Sequence, residues 1–528
     1  MQNILNTQNP NHYHFESKYL DINILGGIRF NNLEALRVTL GLQKKGTQTV
    51  LRQSVDLYND TNVEKLTRKI AERLEIGTSI VRQALDELTN ALENHRLETL
   101  DEQEINNQPQ YKILTEKEIK EAKAFLENKD LINNTQDLIG KSGVIGEEVN
   151  RLLMYLIFTS RKTNNPLHCI SLGSSGAGKT HLQSKVAELI PEEDKIEMTV
   201  LSANAFYYFN RTELRGKLIL IEDLDGAESV LYPLRELQSK KRITKTVVHK
   251  DRNGTTKTIH LTVEGPVSVS GCTTQESIYE DNSNRSFLLY IDESEEQDEK
   301  IMNYQRKASA GNINQEEELK TRLCLQNAQR LLKTVTVKNR YAEYLSLPQS
   351  VFKPRRTNAH YLQFIEVITF YKQYQKEHKI DQETGEEYIE TDIEDIKEAN
   401  ELIKEVLLRK SDSITGACRN HIERVKEYLK ANNQTQFTNA EIRRNLRVKE
   451  TTLRRYNNQL ESENYIRKVR NKKTKSYCFE ITDPQEYKGL KEQINKALED
   501  CMAQIELATS PVVATTKMAK SKKTISAS

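Results

Sequence analysis

The spacing of apolar and polar residues divides the chain into segments of different period. Within residues 1–111, Tyr19 to Leu25, Leu36 to Leu42 and Gln48 to Tyr58 alternate or cluster apolar side chains as strands do, while Asn62 to Leu74 and Thr78 to Leu92 carry them at helical spacing. These segments predict a small N-terminal α/β domain. Leu114 to Asp130 is dense in Lys and Glu and reads as a solvated helix, so residues 112–139 are expected to form a charged helical linker. From residue 140 the pattern becomes that of an α/β core. Glu147 to Phe158 reads as a helix, and Leu167 to Leu172, Ile196 to Leu201, Leu218 to Ile221 and Pro266 to Gly271 read as buried strands. Ile243 to Lys250 and Thr255 to Val263 are β-rich arms around Asp251-Arg252-Asn253-Gly254, which predicts a β-hairpin with an Asn-Gly turn.

Helical spacing returns over residues 319–412, in Thr321 to Lys333, Thr357 to Tyr374 and Ile393 to Arg409, with Ile380 to Thr391 expected as an acidic loop. In residues 417–483, Asn420 to Leu429 is a helix. A capping box, Thr438-Asn439-Ala440-Glu441, opens a second, and Glu450 to Leu460 forms a third. A basic ribbon and the apolar strand Tyr477 to Ile481 follow. Residues 484–528 are expected to hold a charged helix to Leu507 and then a disordered basic tail, since residues from Ala508 onward lack periodicity.

With 528 residues, 37% hydrophobic and 29% charged, the chain is expected to be a helix-rich multidomain protein. No run approaches the ~20 apolar residues that span a bilayer, and the polar start is neither a signal nor a transit peptide, so a cytoplasmic location is expected. The six cysteines are scattered singly without a C-x-x-C pair, which suggests neither a disulfide framework nor a zinc ribbon. His12 and His14 lack further ligand candidates nearby. The net charge of +2 conceals a local excess: Arg467, Lys468, Arg470, Lys472, Lys473 and Lys475 occur with no acid among them. Six clustered cations point to phosphate contacts.

Gly173-Ser174-Ser175-Gly176-Ala177-Gly178-Lys179-Thr180 fits the phosphate-binding pattern G-x-x-x-x-G-K-[ST] between a strand and a helix. The glycines let consecutive N–H groups wrap a polyphosphate, Lys179 reaches the β/γ oxygens, and the Thr180 hydroxyl ligates Mg²⁺. The apolar strand Leu218 to Ile221 ends in Glu222 and Asp223, two carboxylates suited to holding Mg²⁺ and orienting or deprotonating an attacking water. Thr273 and Thr274 end the next buried strand, where a hydroxyl can sense the γ-phosphate. The hairpin carries Lys250, Arg252 and Lys257 as candidate DNA contacts; an ordinary solvated edge ribbon is the alternative.

Strand, P-loop, helix, strand, acidic pair, helix, hairpin and polar-tipped strand in this order resemble an AAA+ ATPase with a β-hairpin before its sensor 1 strand. Ile221-Glu222-Asp223-Leu224-Asp225 is similar to the Walker B region of minichromosome-maintenance helicases, although its acids run Glu-Asp rather than Asp-Glu and that family's extra insertion is absent; superfamily 3 viral helicases are an equal analogy. The resemblance implies an α/β P-loop AAA+ core over 140–318 with a helical lid over 319–412. Arg285 would then be an arginine finger reaching the nucleotide of a neighbouring subunit, the alternative being a structural arginine held by a local carboxylate. Arg355 and Arg356 resemble sensor 2 arginines of the lid. Residues 417–483 resemble a winged helix-turn-helix, with Thr451, Thr452, Arg454, Arg455 and Asn458 on the recognition face and the basic ribbon as wing; a winged helix used for protein contacts is the alternative. The whole resembles the ATPase or helicase portion of replication proteins of phages and mobile elements labelled DNA primase. That implies ATP and Mg²⁺, a homo-oligomeric ring, single-stranded or forked DNA as partner, and a separate primase, since neither a zinc ribbon nor a Toprim-type carboxylate cluster occurs here. The alternatives of other classes are an ATP-switched DNA-binding initiator or regulator and a protein-remodelling ATPase.

Overall fold

The computed structural model describes residues 4–29, 35–107, 112–199, 204–225, 230–250, 256–274, 284–470, 477–482 and 486–509. The chain divides into two compact units, 1–111 and 112–528. In the first, β1 (Ile4–Asn6), β2 (His12–Glu16), β3 (Leu20–Leu25), β4 (Arg37–Lys44) and β5 (Val50–Asp56) form an antiparallel meander, followed by α1 (Asp60–Leu74) and α2 (Thr78–Asn107). β1 and β2 lie outside the three strands expected there. The strand alternation puts Ile22, Ile24, Leu40 and Leu42 against Leu66, Ile70, Leu85 and Leu88 of the helices. The opposite face is polar: the His12 and His14 rings both hydrogen-bond Asn23 Oδ1, and Thr39 Oγ1 bonds Ser54 Oγ.

The second unit opens with α3 (Glu116–Leu126), α4 (Leu131–Lys141) and α5 (Glu148–Thr159). The expected charged linker is corrected here. Ala122, Leu126, Leu131, Ile132 and Ile139 are buried, and Leu126, Leu131 and Ile139 join the core of the P-loop unit. The Lys and Glu residues occupy only the outward side of α3, whose narrow apolar stripe is enough to seat it.

Next come β6 (Cys169–Leu172), α6 (Lys179–Ala187), β7 (Lys195–Met198), β8 (Lys217–Ile221), α7 (Leu231–Lys240), β9 (Arg242–Lys250), β10 (Thr256–Glu264), β11 (Val267–Thr273), β12 (Phe287–Tyr290) and α8 (Glu295–Ser309). Five of the strands make a parallel sheet in the order β12-β6-β11-β8-β7. Both faces are covered, which is why the strands read as continuous apolar runs. Leu218 and Leu220 face the α5 and α6 side, while Ile219 and Ile221 face Leu234 and Leu237 of α7. β9 and β10 form a separate antiparallel ribbon.

The helical region holds α9 (Gln315–Leu331), α10 (Pro354–Tyr371) and α11 (Ile393–Lys410), with a small sheet of β13 (Thr336–Lys338), β14 (Lys379–Ile380) and β15 (Glu387–Glu390). The segment expected as an acidic loop is therefore a short hairpin, seated by the fully buried Ile389. Then follow α12 (Gly416–Ala431), β16 (Gln436–Phe437), α13 (Asn439–Asn445), α14 (Glu450–Ser462), β17 (Ile466–Arg470) and β18 (Tyr477–Ile481), which share one core containing Ile422, Phe437, Ile442, Leu453, Leu460 and Phe479. The Thr438–Glu441 capping box is present at α13. Finally α15 (Glu486–Thr509) returns to pack Ile494, Leu498, Cys501 and Ile505 into the main core beside α11.

A buried polar joint fastens the core to α9. The Arg161 side chain is 0% exposed, with Nη2 2.6 Å from Asp194 Oδ2 and Nη1 donating to Gln329 Oε1 at 2.7 Å. Burial alone would raise the Asp194 carboxyl, but Arg161 and Lys162 hold it below the usual range. Arg161→Met would strand this carboxylate, and we expect a loss of about 3–5 kcal/mol. It is read as a lower urea midpoint for the P-loop unit, and an unchanged midpoint would refute the assignment.

Candidate functional site

β6 delivers the loop 173–178 at the C-terminal edge of the sheet, where α/β folds bind ligands. Gly176 and Gly178 have φ of +86° and +88°, a region costly for residues with a Cβ, so these glycines set the loop's curvature. Ser174, Ser175 and Thr180 are exposed. Lys179 is 8% exposed and its Nζ donates to the carbonyls of Gly173 and Ser174 at 2.9 and 2.6 Å. It thus lies folded along the loop that its charge would share with a phosphate. Ala177 is half-buried and packs against the main core.

Sheet register brings the other candidates to the same edge. Thr273 lies opposite Leu172, the last residue before the loop, and Gly271 lies opposite both Ile170 and Ile221. Glu222 and Asp223 therefore emerge one and two residues past that level, and both are exposed. Leu224 N–H donates to Cys272 O at 2.9 Å, and a Cβ on Gly271 would lie 2.8 Å from Leu224 Cγ, so this glycine admits the acidic turn onto β11. Burial pushes the Cys272 thiol up to about 12, tempered by a hydrogen bond with Thr180 and by the charge of Lys179, while Asp223 adds to the rise. The Cys272 thiol itself donates to Gln183 Oε1 at 3.4 Å. Behind them Gln183 of α6 donates to Ile221 O at 3.2 Å and accepts from Ser270 Oγ at 2.8 Å, tying the P-loop helix to β8 and β11.

Two acids escaped the sequence reading. Asp225 accepts from the hydroxyls of both Thr273 and Thr274, and from Thr274 N–H at 3.3 Å, so the acidic turn and the polar strand tip are already joined. Glu293, beyond β12, accepts from Ser174 N–H at 2.5 Å. The D-L-D spacing held a cue to the first; nothing local marked the second.

Arg285 lies at the other edge. It precedes β12, whose Phe287 pairs with Cys169, the first residue of β6, and its Nε donates to Ser239 Oγ at 2.9 Å. Four residues of strand, about 13 Å, separate that level from the loop. A cluster of cations surrounds this edge. Lys410 Nζ donates to Ser286 O at 2.9 Å, and burial followed by the charge of Arg356 brings its ammonium down to about 7. Burial, then Arg285, lowers His168 to about 3. Burial, then Lys410, His168 and Arg356, lowers His360 well below its usual value. Arg355 and Arg356 are exposed at the start of α10, and the charge of Arg356 thus bears on groups at the Arg285 edge.

Of the nucleic-acid candidates, Lys250 and Lys257 lie on β9 and β10, but their side chains, with the whole of Arg252, lie outside the described residues. At the ribbon's base Tyr208 is 75% exposed, and Lys245 Nζ stands 5.5 Å from the Tyr207 ring centroid while donating to Asn204 Oδ1. On α14, Thr451, Arg454, Arg455 and Asn458 are exposed, with Arg454 paired to Glu450 at 2.6 Å; Thr452 is half-buried, a correction to its expected exposure. On β17, Arg467 pairs with Glu480, Lys468 lies 4.6 Å from the Tyr477 ring centroid, and Arg470 is exposed. Lys472, Lys473 and Lys475 lie outside the described residues.

Residues 115–334 match the family model described as the MTBMA_p00010 P-loop domain. Its span runs from α3 through α9 and contains the loop, the acidic pair, the threonine tip and Arg285, which makes this part of the chain a P-loop nucleotide-binding domain. No curated protein matches the chain. Among solved structures, a full-length MCM homolog from Methanopyrus kandleri is 12% identical over 76% of this chain and 75% of its own, with a TM-score of 0.34. Drosophila ORC bound to DNA is 11% identical over 74% and 95%, with a TM-score of 0.21. The apo C-terminal region of NrS-1 is 14% identical over 71% and 78%, also with a TM-score of 0.21. Among the described residues no helix is long and apolar enough to cross a membrane.

The depressed Lys410 gives a pH signature. Its folded value of about 7 lies below the unfolded value of about 10.4. Between these the unfolded chain holds the extra proton, so stability rises with pH across that window. We expect the gain in urea midpoint from pH 7 to pH 9.5 to be smaller in Lys410→Met than in the wild type; equal gains would contradict the buried cation.

Proposed function

We propose that the chain is an ATP-hydrolysing AAA+ motor that acts on DNA during replication of a phage or mobile element, working in a ring of identical subunits alongside a separate primase. The observation that carries this reading is the register of β11. It sets Thr273 and Thr274 between the P-loop and the acidic pair at one edge of the sheet, while Arg285 stands at the other. Lys179 and the loop N–H groups would hold the triphosphate. Thr180, Glu222 and Asp223 offer hard oxygen donors that suit Mg²⁺, and the ion, when bound, supplies charge neutralisation on the phosphoryl oxygens. One of the two carboxylates would orient or deprotonate the attacking water. Thr273, held by Asp225, would report the γ-phosphate.

Arg285 is about a strand length from its own P-loop, so the phosphate it contacts belongs to the next subunit. Its always-charged guanidinium would offset charge on the transferred group there. Arg356, and Arg355 beside it, would serve at the same inter-subunit face, since the charge of Arg356 acts on the Arg285 edge. The ribbon β9–β10 would grip DNA through Lys250, Arg252 and Lys257. The exposed Tyr208 and the Tyr207–Lys245 pair at its base are the kind of stacking and charge that single strands use. Residues 417–483 would be a winged helix-turn-helix with α14 as recognition helix and the β17–β18 ribbon as wing.

A second reading, an ATP-switched DNA-binding initiator, is favoured by one observation: Tyr290, three residues before the Glu293 that holds the phosphate loop, lies against Gly416 at the start of α12. Unwinding separates the two. The motor reading predicts that single-stranded DNA raises ATP hydrolysis and that a labelled fork is unwound, both lost in Lys179→Ala. Lys250→Ala with Arg252→Ala should abolish fork unwinding and spare hydrolysis measured without DNA. DNA binding without unwinding by the wild type would instead leave the switch.

A further inference from the structure

The segment Tyr290-Ile291-Asp292-Glu293 touches the phosphate loop on one side and the C-terminal helices on the other. Ile291 N–H donates to Leu172 O at 2.9 Å, so β12 stays joined to β6 up to the residue where the loop begins. Glu293 then accepts from Ser174 N–H at 2.5 Å; a Cβ on Gly173 would lie 3.1 Å from the same carboxylate oxygen, and glycine leaves that approach open. Asp292 N–H donates to Glu147 Oε1 at 2.7 Å and Asn150 Nδ2 donates to Tyr290 O at 2.8 Å, which pins this segment to α5.

On the far side, the Tyr290 ring lies against the backbone of Gly416, the first residue of α12. A Cβ added there would overlap ring carbons, so only glycine allows the contact. Thr415 Oγ1 donates to Gln459 Oε1 at 3.0 Å, fastening the start of α12 to α14. On α14 burial pushes the Tyr456 hydroxyl up against a hydrogen bond and the charge of Arg455, with a smaller upward push from Glu293. One carboxylate thus lies beside the phosphate loop and within electrostatic reach of α14. The neighbourhood is acidic: Glu295, Glu296 and Asp298 occupy the first turn of α8 directly after Glu293. These acids add negative potential on the side of α14 that Glu293 reaches, where it opposes DNA phosphates.

We propose that Glu293 couples nucleotide occupancy of the P-loop to DNA binding by the C-terminal domain. A polyphosphate in the loop places negative charge next to the Glu293 carboxylate and weakens its hold on Ser174. The segment 290–293 shifts, the Tyr290–Gly416 contact loosens, and the C-terminal domain moves out of the negative potential of Glu293 and the acids that follow it, so DNA binds more tightly. Linkage requires that DNA raise nucleotide affinity by the same factor. The proposal rests on the nucleotide-site reading above and adds its regulation.

The test uses the full chain with a fluorescent DNA duplex, with and without ATPγS and Mg²⁺ at fixed 150 mM salt, together with direct ATPγS binding. The wild type should bind duplex more tightly with ATPγS by a factor between about 5 and 150, the usual span of allosteric coupling. Glu293→Gln, nearly isosteric, and Tyr290→Ala, away from the loop, should each bind ATPγS and duplex but bring that factor near one. Retention of the full factor by both variants would overturn the proposal. So would a wild type that binds both ligands without mutual effect, which leaves the nucleotide site standing. A wild type that does not bind ATPγS at all would overturn the nucleotide-site reading as well.

Discussion

Hydrogen bonding of β11 between β6 and β8 is the constraint on which the site depends. It levels Thr273 with Leu172 and Gly271 with Ile221, so three pieces of chain about 50 residues apart end at one edge. Small side chains make the fit possible: Gly271 admits Leu224 and holds the acidic turn against the strand, and Gln183 stitches the P-loop helix to the same two strands. Because the sheet is parallel, whatever precedes a strand stands at the opposite edge from whatever follows it. Arg285 is therefore kept from its own phosphate loop by the same pairing that assembles the rest.

The two edges differ in electrostatics as well as position. At the loop edge, Lys179 rests on the carbonyls of Gly173 and Ser174, exposed carboxylates follow β8, and Asp225 accepts from both threonines. At the Arg285 edge, burial discharges His168 and His360 and weakens the Lys410 ammonium, which leaves the guanidinium groups of Arg285 and Arg356 to carry the positive charge. On the proposed reading, a subunit with a phosphate cradle on one edge and two guanidiniums bearing on the other would associate head to tail. Such heterologous contacts generate rings when the rotation closes.

Features whose cause is local were legible in the sequence. The glycines of the P-loop, the capping box at Thr438 and the apolar runs of β6 and β8 each declare themselves within a few residues. Features that depend on a distant partner were not. Residues 112–139 looked like a linker because the stretch from Leu114 to Asp130 is dense in Lys and Glu, although Leu126 and Leu131 are fully buried. Residues 380–391 looked like a loop because a single buried Ile389 defines their strand. Glu293 is one acid in an acidic run, and only its bond to a residue 119 positions earlier distinguishes it. Thr452 shows the limit of helical periodicity on a short helix, where one position of misjudged facing changes an exposed residue into a half-buried one.

The central claim is that hydrolysis needs two subunits, one presenting its P-loop and the next its Arg285. The direct measurement is ATP hydrolysis by an equimolar mixture of Lys179→Ala and Arg285→Ala chains, each inactive alone. Mixed assemblies contain junctions in which an intact loop faces an intact arginine, so activity should reappear well above that of either variant. A mixture as inactive as its components, with mixed oligomers shown to form, would contradict the shared site and return Arg285 to a structural role.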